Sequence, residues 1–102
     1  MYEPQACLHL VSASPRRSGA LAQCVSFLRP GDAILFLEDG VNALLDALPA
    51  GLLDQPIELA CLMADIEARG MTGLTANNQL KLVDDSGFVE LVERYPLSQT
   101  WT

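Results

Sequence analysis

Residues Ala33 to Leu37 form an unbroken apolar run, Ala-Ile-Leu-Phe-Leu, between Pro30-Gly31-Asp32 and Glu38-Asp39-Gly40. A run this short, without polar alternation and closed by turn residues at both ends, reads as a strand covered on both faces. After Gly40 the spacing changes. Val41, Leu44, Leu45 and Leu48 fall at i, i+3, i+4 and i+7, which predicts an amphipathic helix. A buried strand, an acidic turn and a helix make half of a βαβ unit and point to an α/β fold with a parallel sheet. In such sheets ligands bind beyond the carboxyl ends of the strands, where Glu38-Asp39-Gly40 is expected to lie.

The remaining segments continue the alternation. Ala6 to Val11 is the expected first strand, followed by a polar loop. Ser14-Pro15 is placed to start a helix that carries Leu21, Cys24, Val25 and Leu28 on one face. Ile57 to Leu62 is expected as a strand and Ala64 to Arg69 as a short helix stopped by Gly70. Met71 to Asn78 lacks periodicity and reads as a loop. Leu80 to Val83 gives a fourth strand, and Asp84-Asp85-Ser86 offers caps for a helix to about Tyr95. Pro96 breaks that helix, and Leu97 to Trp101 is a candidate fifth strand. The expected architecture is a parallel sheet of four to five strands with helices on both faces.

At 102 residues the chain fits one domain over residues 6–102, with residues 1–5 as a flexible lead-in. Half of the residues are apolar, a large share for so small a sheet to hide, so some apolar surface is expected to meet another subunit. Six Lys+Arg against 13 Asp+Glu give a formal charge of −7. That balance argues against direct binding of nucleic acid or anionic membrane, since phosphate contacts need clustered cations. Met1 to Gln5 has no signal-peptide pattern, and no apolar run reaches the roughly 20 residues of a membrane helix. Cys7, Cys24 and Cys61 are widely spaced and odd in number, which suggests a reducing compartment, with the cytoplasm as expected location. A single histidine builds neither a metal site nor a Ser-His-Asp triad, and no glycine-rich phosphate loop occurs. No metal or cofactor is expected.

Several stretches, in order, resemble one family. They are Leu8-His9 with Ser14-Pro15, Leu35-Phe36-Leu37-Glu38-Asp39-Gly40-Val41, Asp65-Ile66 with Ala68-Arg69-Gly70, Phe88-Val89 with Leu91, and the closing Ser98-Gln99-Thr100-Trp101. Together they are similar to the TusB/DsrH family of sulfur-relay subunits, which has a Rossmann-like, DsrE-like fold. The resemblance implies a heterohexamer with TusC/DsrF-like and TusD/DsrE-like subunits. It also implies a role in passing persulfide sulfur toward 2-thiouridine at the tRNA wobble position, or toward dissimilatory sulfur oxidation. In either pathway a family member of this kind does not itself hold the tRNA.

Two readings of Cys24 stay open. As a persulfide carrier it needs an accessible thiolate, helped by Arg16 and Arg17; as a mid-helix residue between Leu21 and Leu28 it fills the core. Cys7 and Cys61 read as packed within strands. His9 reads as a proton donor at a strand end or as a satisfied buried histidine, with Cys7 its companion on the same face. Asp39-Gly40 reads either as a functional pair or as a helix cap beside a glycine that supplies φ > 0. Asp84-Asp85 reads as a cap. Trp101 reads as a packing anchor at an interface, because aromatics concentrate at interface centres. The chain is thus either an accessory subunit of a sulfur relay or itself a sulfurtransferase through Cys24. A third reading is a regulatory module on the same fold.

Overall fold

A computed structural model describes residues 5–45, 48–49, 51–74 and 80–102. The expected lead-in therefore lies outside the described residues except for Gln5, as do positions 46–47 of the expected central helix and 75–78 of the expected loop. Five strands, β1 (Cys7–Val11), β2 (Ala33–Phe36), β3 (Glu58–Leu62), β4 (Leu80–Val83) and β5 (Leu97–Trp101), form one sheet in the order β4-β3-β2-β1-β5. Every pair is parallel. β2 sits at the centre, and all four of its residues are buried. Its uninterrupted apolar character follows from having no solvent face.

Side chains alternate across the sheet and divide the core in two. Val11, Ile34, Phe36, Leu59 and Cys61 pack with Leu21, Cys24, Val41 and Ile66 on one face. These partners come from α1 (Ala20–Ser26), a 3-10 helix over Glu38–Leu45, and α2 (Met63–Ala68). Leu8, Ala33, Leu35 and Ala60 pack with Leu91 and Phe88 of α3 (Asp85–Arg94) on the other. After β4, at one edge of the sheet, α3 carries the chain across the second face to β5 at the opposite edge. Among the described residues no helix is long and apolar enough to cross a membrane.

Two helix ends match their sequence signals closely. Asp84 caps α3 by accepting from the Gly87 amide at 2.8 Å. α2 ends with Gly70 at φ +64. There the Met71 amide bonds to the Ile66 carbonyl and the Gly70 amide to that of Glu67, the paired arrangement that closes helices with a left-handed glycine.

Two other expectations are corrected. The segment after β2 winds as a 3-10 helix from Glu38, not as an α-helix after Gly40. A three-residue repeat aligns Val41 with Leu44 but turns Leu45 outward. Accordingly Val41 and Leu44 join the core, and so does Leu48 beyond the helix, while Leu45 is exposed. The start of α1 also moves. Ser14-Pro15 opens a separate turn, in which the Ser14 carbonyl accepts from Arg17 and Ser18, and the helix begins at Ala20.

Candidate functional site

The strand ends carry two very different constructions. At the carboxyl end, Glu38 takes φ +51, the one positive φ outside glycine among the described residues. Its amide donates to Asp65 Oδ2 at 2.7 Å. Arg69, one turn further along α2, donates to Asp39 Oδ1 at 2.9 Å and to the Asp65 carbonyl at 3.2 Å. The acidic turn and the Asp-x-x-x-Arg helix, separate in sequence, thus form one charged clasp between β2 and β3.

This geometry revises the expected roles of Asp39 and Gly40. Asp39 lies inside the 3-10 helix and bonds Arg69 instead of capping from outside. Gly40 has no positive φ; its requirement is proximity, because a Cβ there would overlap the Val11 carbonyl. The Leu37 amide already bonds that same carbonyl at 3.1 Å, so backbone fills the space beyond β1 and β2. A neighbouring hollow of about 280 Å³, between Pro15, Leu21, Ala43 and Pro49, has no charged side chain among its described lining residues. The carboxyl edge is therefore a structural joint.

The amino half of the sheet holds the polar chemistry. Asp32, at the entrance to β2, is 2% exposed. It accepts from the Cys7 amide at 2.9 Å and the Arg29 amide at 3.1 Å, and its Oδ2 meets His9 Nε2 at 3.0 Å. On the opposite side of the ring, Trp101 Nε1 donates to His9 Nδ1 at 3.0 Å. Since an indole N–H only donates, Nδ1 is an acceptor and Nε2 carries the proton toward Asp32. The result is a directed chain from Trp101 through neutral His9 to Asp32, joining β5, β1 and β2. Burial pushes the Asp32 carboxyl up, but bonds from the Cys7 amide, His9 and the Arg29 amide outweigh it and hold it below its ordinary value.

The relay forms the floor of a groove of about 450 Å³ over the β1 and β5 edge of the sheet. Cys7, Phe27, Arg29, Leu97, Gln99 and Trp101 line it as well. Phe27 lies against Trp101 with ring centroids 5.5 Å apart. Cys7 is half-buried, and burial, then the Asp32 charge, push its thiol up.

Cys24 stands behind this wall, with no exposed surface. Burial, then the charges of Cys7 and Asp32, push its thiol up to about 12. The expected helpers, Arg16 and Arg17, are not among the groups acting on it. Cys61 is buried as well, its thiol pushed up to about 11 by burial alone. The structure brings His9 together with Trp101 and Cys7, leaves Cys24 on the core side, and sets Asp39 apart at the other end of the sheet. Among the described residues, no three His, Cys, Asp or Glu side chains gather as a cation site.

Sequence reasoning missed Asp32, Arg29 and Phe27. Asp32 counted only as a boundary residue. Its signal was a lone carboxylate at the mouth of a two-sided strand, which must find buried donors. The Trp101 to His9 contact needs the pairing of β5 with β1, where Val11 stands beside Trp101 and His9 beside Gln99.

Comparison with known proteins gives a consistent result. A family model described as "DsrH like protein" matches residues 13–97. The chain is similar to "Protein TusB" of Escherichia coli strain K12, with 34% identity over 96 residues, covering 92% of this chain and 99% of that one. It is also similar to "Protein TusB" of Pectobacterium atrosepticum, with 37% identity over 99 residues and the same two shares of 92% and 99%. "Protein TusB" of Erwinia tasmaniensis is 36% identical over 96 residues, again with 92% of this chain and 99% of that one.

Proposed function

Because the chain belongs to the DsrH-like family, we propose that it is an accessory subunit of a TusBCD/DsrEFH-type sulfur-relay complex. In this reading it shapes and stabilises the assembly and carries no persulfide itself. The relay delivers sulfur for 2-thiouridine formation at the tRNA wobble position, in the cytoplasm. The partners are the TusC/DsrF-like and TusD/DsrE-like subunits, and the acceptor cysteine belongs to the latter.

One observation supports the accessory role above the others: Cys24 has no exposed surface and its thiol is pushed up to about 12. A persulfide acceptor attacks as thiolate and needs an opening for the donor. Cys24 has neither, since burial first, then Cys7 and Asp32, disfavour its thiolate, and its neighbours are Leu21 and the inner face of the sheet. The exposed Phe27, Val89, Val92 and Leu97 supply apolar surface for neighbouring subunits.

The test is reconstitution of the three-subunit complex with labelled persulfide, followed by mass spectrometry of each cysteine peptide. The accessory role predicts label on the TusD/DsrE-like partner, none on Cys24, and undiminished delivery from a complex with Cys24→Ala. Label on Cys24, with delivery lost in an alanine complex that still assembles, overturns it in favour of a persulfide carrier of the kind used in dissimilatory sulfur oxidation.

A further inference from the structure

The two edges of the sheet are finished differently. β4 carries Lys81, whose ammonium is exposed and bonds Glu58 at 3.1 Å. A charged side chain of this kind guards an edge against pairing with another strand. β5 reads Leu97-Ser98-Gln99-Thr100-Trp101, with neither charge nor proline, and no described strand pairs with its outer side. Beside it lies the groove of about 450 Å³. Its rim presents Phe27 at 65% exposure and Leu97 at 46%.

Charge narrows what fits there. Among the described residues, Asp32 and Arg29 are the charged members of the groove lining. The Asp32 carboxylate is spent on the Cys7 and Arg29 amides and on His9. Arg29 is exposed, and its guanidinium pairs with no carboxylate among the described residues, whereas Arg69, Lys81 and Arg94 each have one. A cation without an ion-pair partner among the described residues therefore stands next to an apolar rim and an open strand edge, on a chain whose formal charge is −7.

We propose that the β5 edge and its groove dock an extended segment of a partner chain that presents a carboxylate beside an apolar or aromatic side chain. The segment adds as a strand to β5 through its backbone. Its apolar side chain enters between Phe27, Leu97 and Trp101, and its carboxylate meets Arg29. The Trp101–His9–Asp32 chain fixes the groove wall beforehand, so little ordering is needed on binding. This inference rests on the reading of the chain as a subunit of a larger complex.

The experiment uses the full chain co-expressed with the TusC/DsrF-like and TusD/DsrE-like subunits. Hydrogen exchange is followed at β5 and assembly is titrated by light scattering. The Trp101 carbonyl accepts from the Ser12 amide of the chain leaving β1, so by alternation the Ser98 and Thr100 amides face the open edge. These are expected to exchange at least about tenfold more slowly in the complex, as a new strand partner requires. Phe27→Ser and Arg29→Glu are expected to weaken assembly about tenfold or more, while Arg29→Lys and the control Glu93→Gln, at an exposed position of α3, stay near wild type. Residues 27 and 29 are exposed, and circular dichroism of each free variant separates a docking defect from misfolding. A complex that forms equally well with Arg29→Glu and leaves β5 exchange unchanged overturns the docking site while the subunit reading stands. A wild-type chain that joins neither subunit overturns both. Self-association abolished by Arg29→Glu shows a second copy as occupant and also overturns the proposal.

Discussion

Trp101 Nε1 donates to His9 Nδ1 at 3.0 Å across 92 positions of sequence, tying the last strand to the first. The bond assigns the imidazole its tautomer, because the ring nitrogen facing an indole N–H has to accept. The second nitrogen then reaches Asp32 at 3.0 Å, and Asp32 in turn holds the start of β1 and the turn after α1 through two amides. A polar chain this well buried is tolerable because each member is satisfied. It also explains how a strand as exposed as β5 keeps a fixed place.

The first expected outcome concerns that tautomer. Nitrogen-15 spectra of the folded protein at neutral pH should show a protonated Nε2 and an unprotonated Nδ1 on His9. Trp101→Phe removes the donor and leaves Nδ1 without its partner, at a cost of about 1–2 kcal/mol in urea unfolding. A Phe variant with unchanged stability and the same tautomer indicates that another group orients the ring.

Acid should loosen the same region through Asp32. Its folded carboxyl lies below the ordinary value of 3.8, so in the folded state it holds its proton less readily than in the unfolded chain. Such a group adds stability above the unfolded value and loses it as pH falls toward the folded one. Glu58, held low by Lys81 and Arg94 against its own burial, acts in the same direction from 4.5 downward. Thermal melts of the wild type should fall steadily below about pH 4, and Asp32→Asn should flatten part of that slope while lowering stability at neutral pH. An unaltered slope in Asp32→Asn removes Asp32 from the acid response.

Cys24 gives the third. With the thiol buried and pushed up to about 12, alkylation of the folded protein at neutral pH should be slow there and fast after denaturation. Cys7, half-buried in the groove wall, should react first of the three. Cys24→Ala should cost on the order of 1 kcal/mol, as a small truncation in a packed core does. Peptide mapping after a timed pulse of alkylating reagent gives the order directly.

Much of this fold was readable from the order of residues, and the reasons are local. Ala33 to Leu37 contains nothing a solvent face could use, Asp84 stands three residues before the amide it caps, and Gly70 follows a helix it can close. All five strands could be placed because each is a short apolar or β-prone run between turn residues. The site was less legible because its parts meet only through register. His9, Asp32 and Trp101 lie in three separate segments, and only the placement of β1 between β2 and β5 joins them. The 3-10 helix escaped notice because its apolar positions satisfy an α-helical period equally well through Leu44. The close approach of Gly40 to the Val11 carbonyl is likewise a contact that no spacing rule contains.

The clasp at the carboxyl end separates a weak ion pair from a strong hydrogen bond. Asp39 is largely exposed, its side chain 62% accessible, so Asp39→Ala should change stability by less than about 0.5 kcal/mol, as surface pairs do. Asp65 accepts from the Glu38 amide, which sits in a strained left-handed conformation. Asp65→Ala removes that acceptor and should cost about 1–2 kcal/mol, comparable to the loss of a helix cap. Equal effects of the two substitutions in chemical denaturation contradict this division of roles.

Gly40 provides the most demanding test of the architecture. The Val11 carbonyl accepts from Leu37 at the point where a side chain on Gly40 would have to go. The obstacle is backbone on both sides, so neither a rotamer change nor a side-chain shift can make room. Gly40→Ala must push the 3-10 helix away from β1, opening the contact that Val41 and Ala43 make with the core. The expected loss is on the order of 3 kcal/mol or more, in the range of severe overpacking. Gly51→Ala serves as control: it too changes one glycine, but its Cβ would meet no neighbour within 4 Å. Its φ of +80 still carries strain, for which about 1 kcal/mol is expected. If urea unfolding places Gly40→Ala no lower than Gly51→Ala, the close approach of residue 40 to β1 does not hold the two elements together.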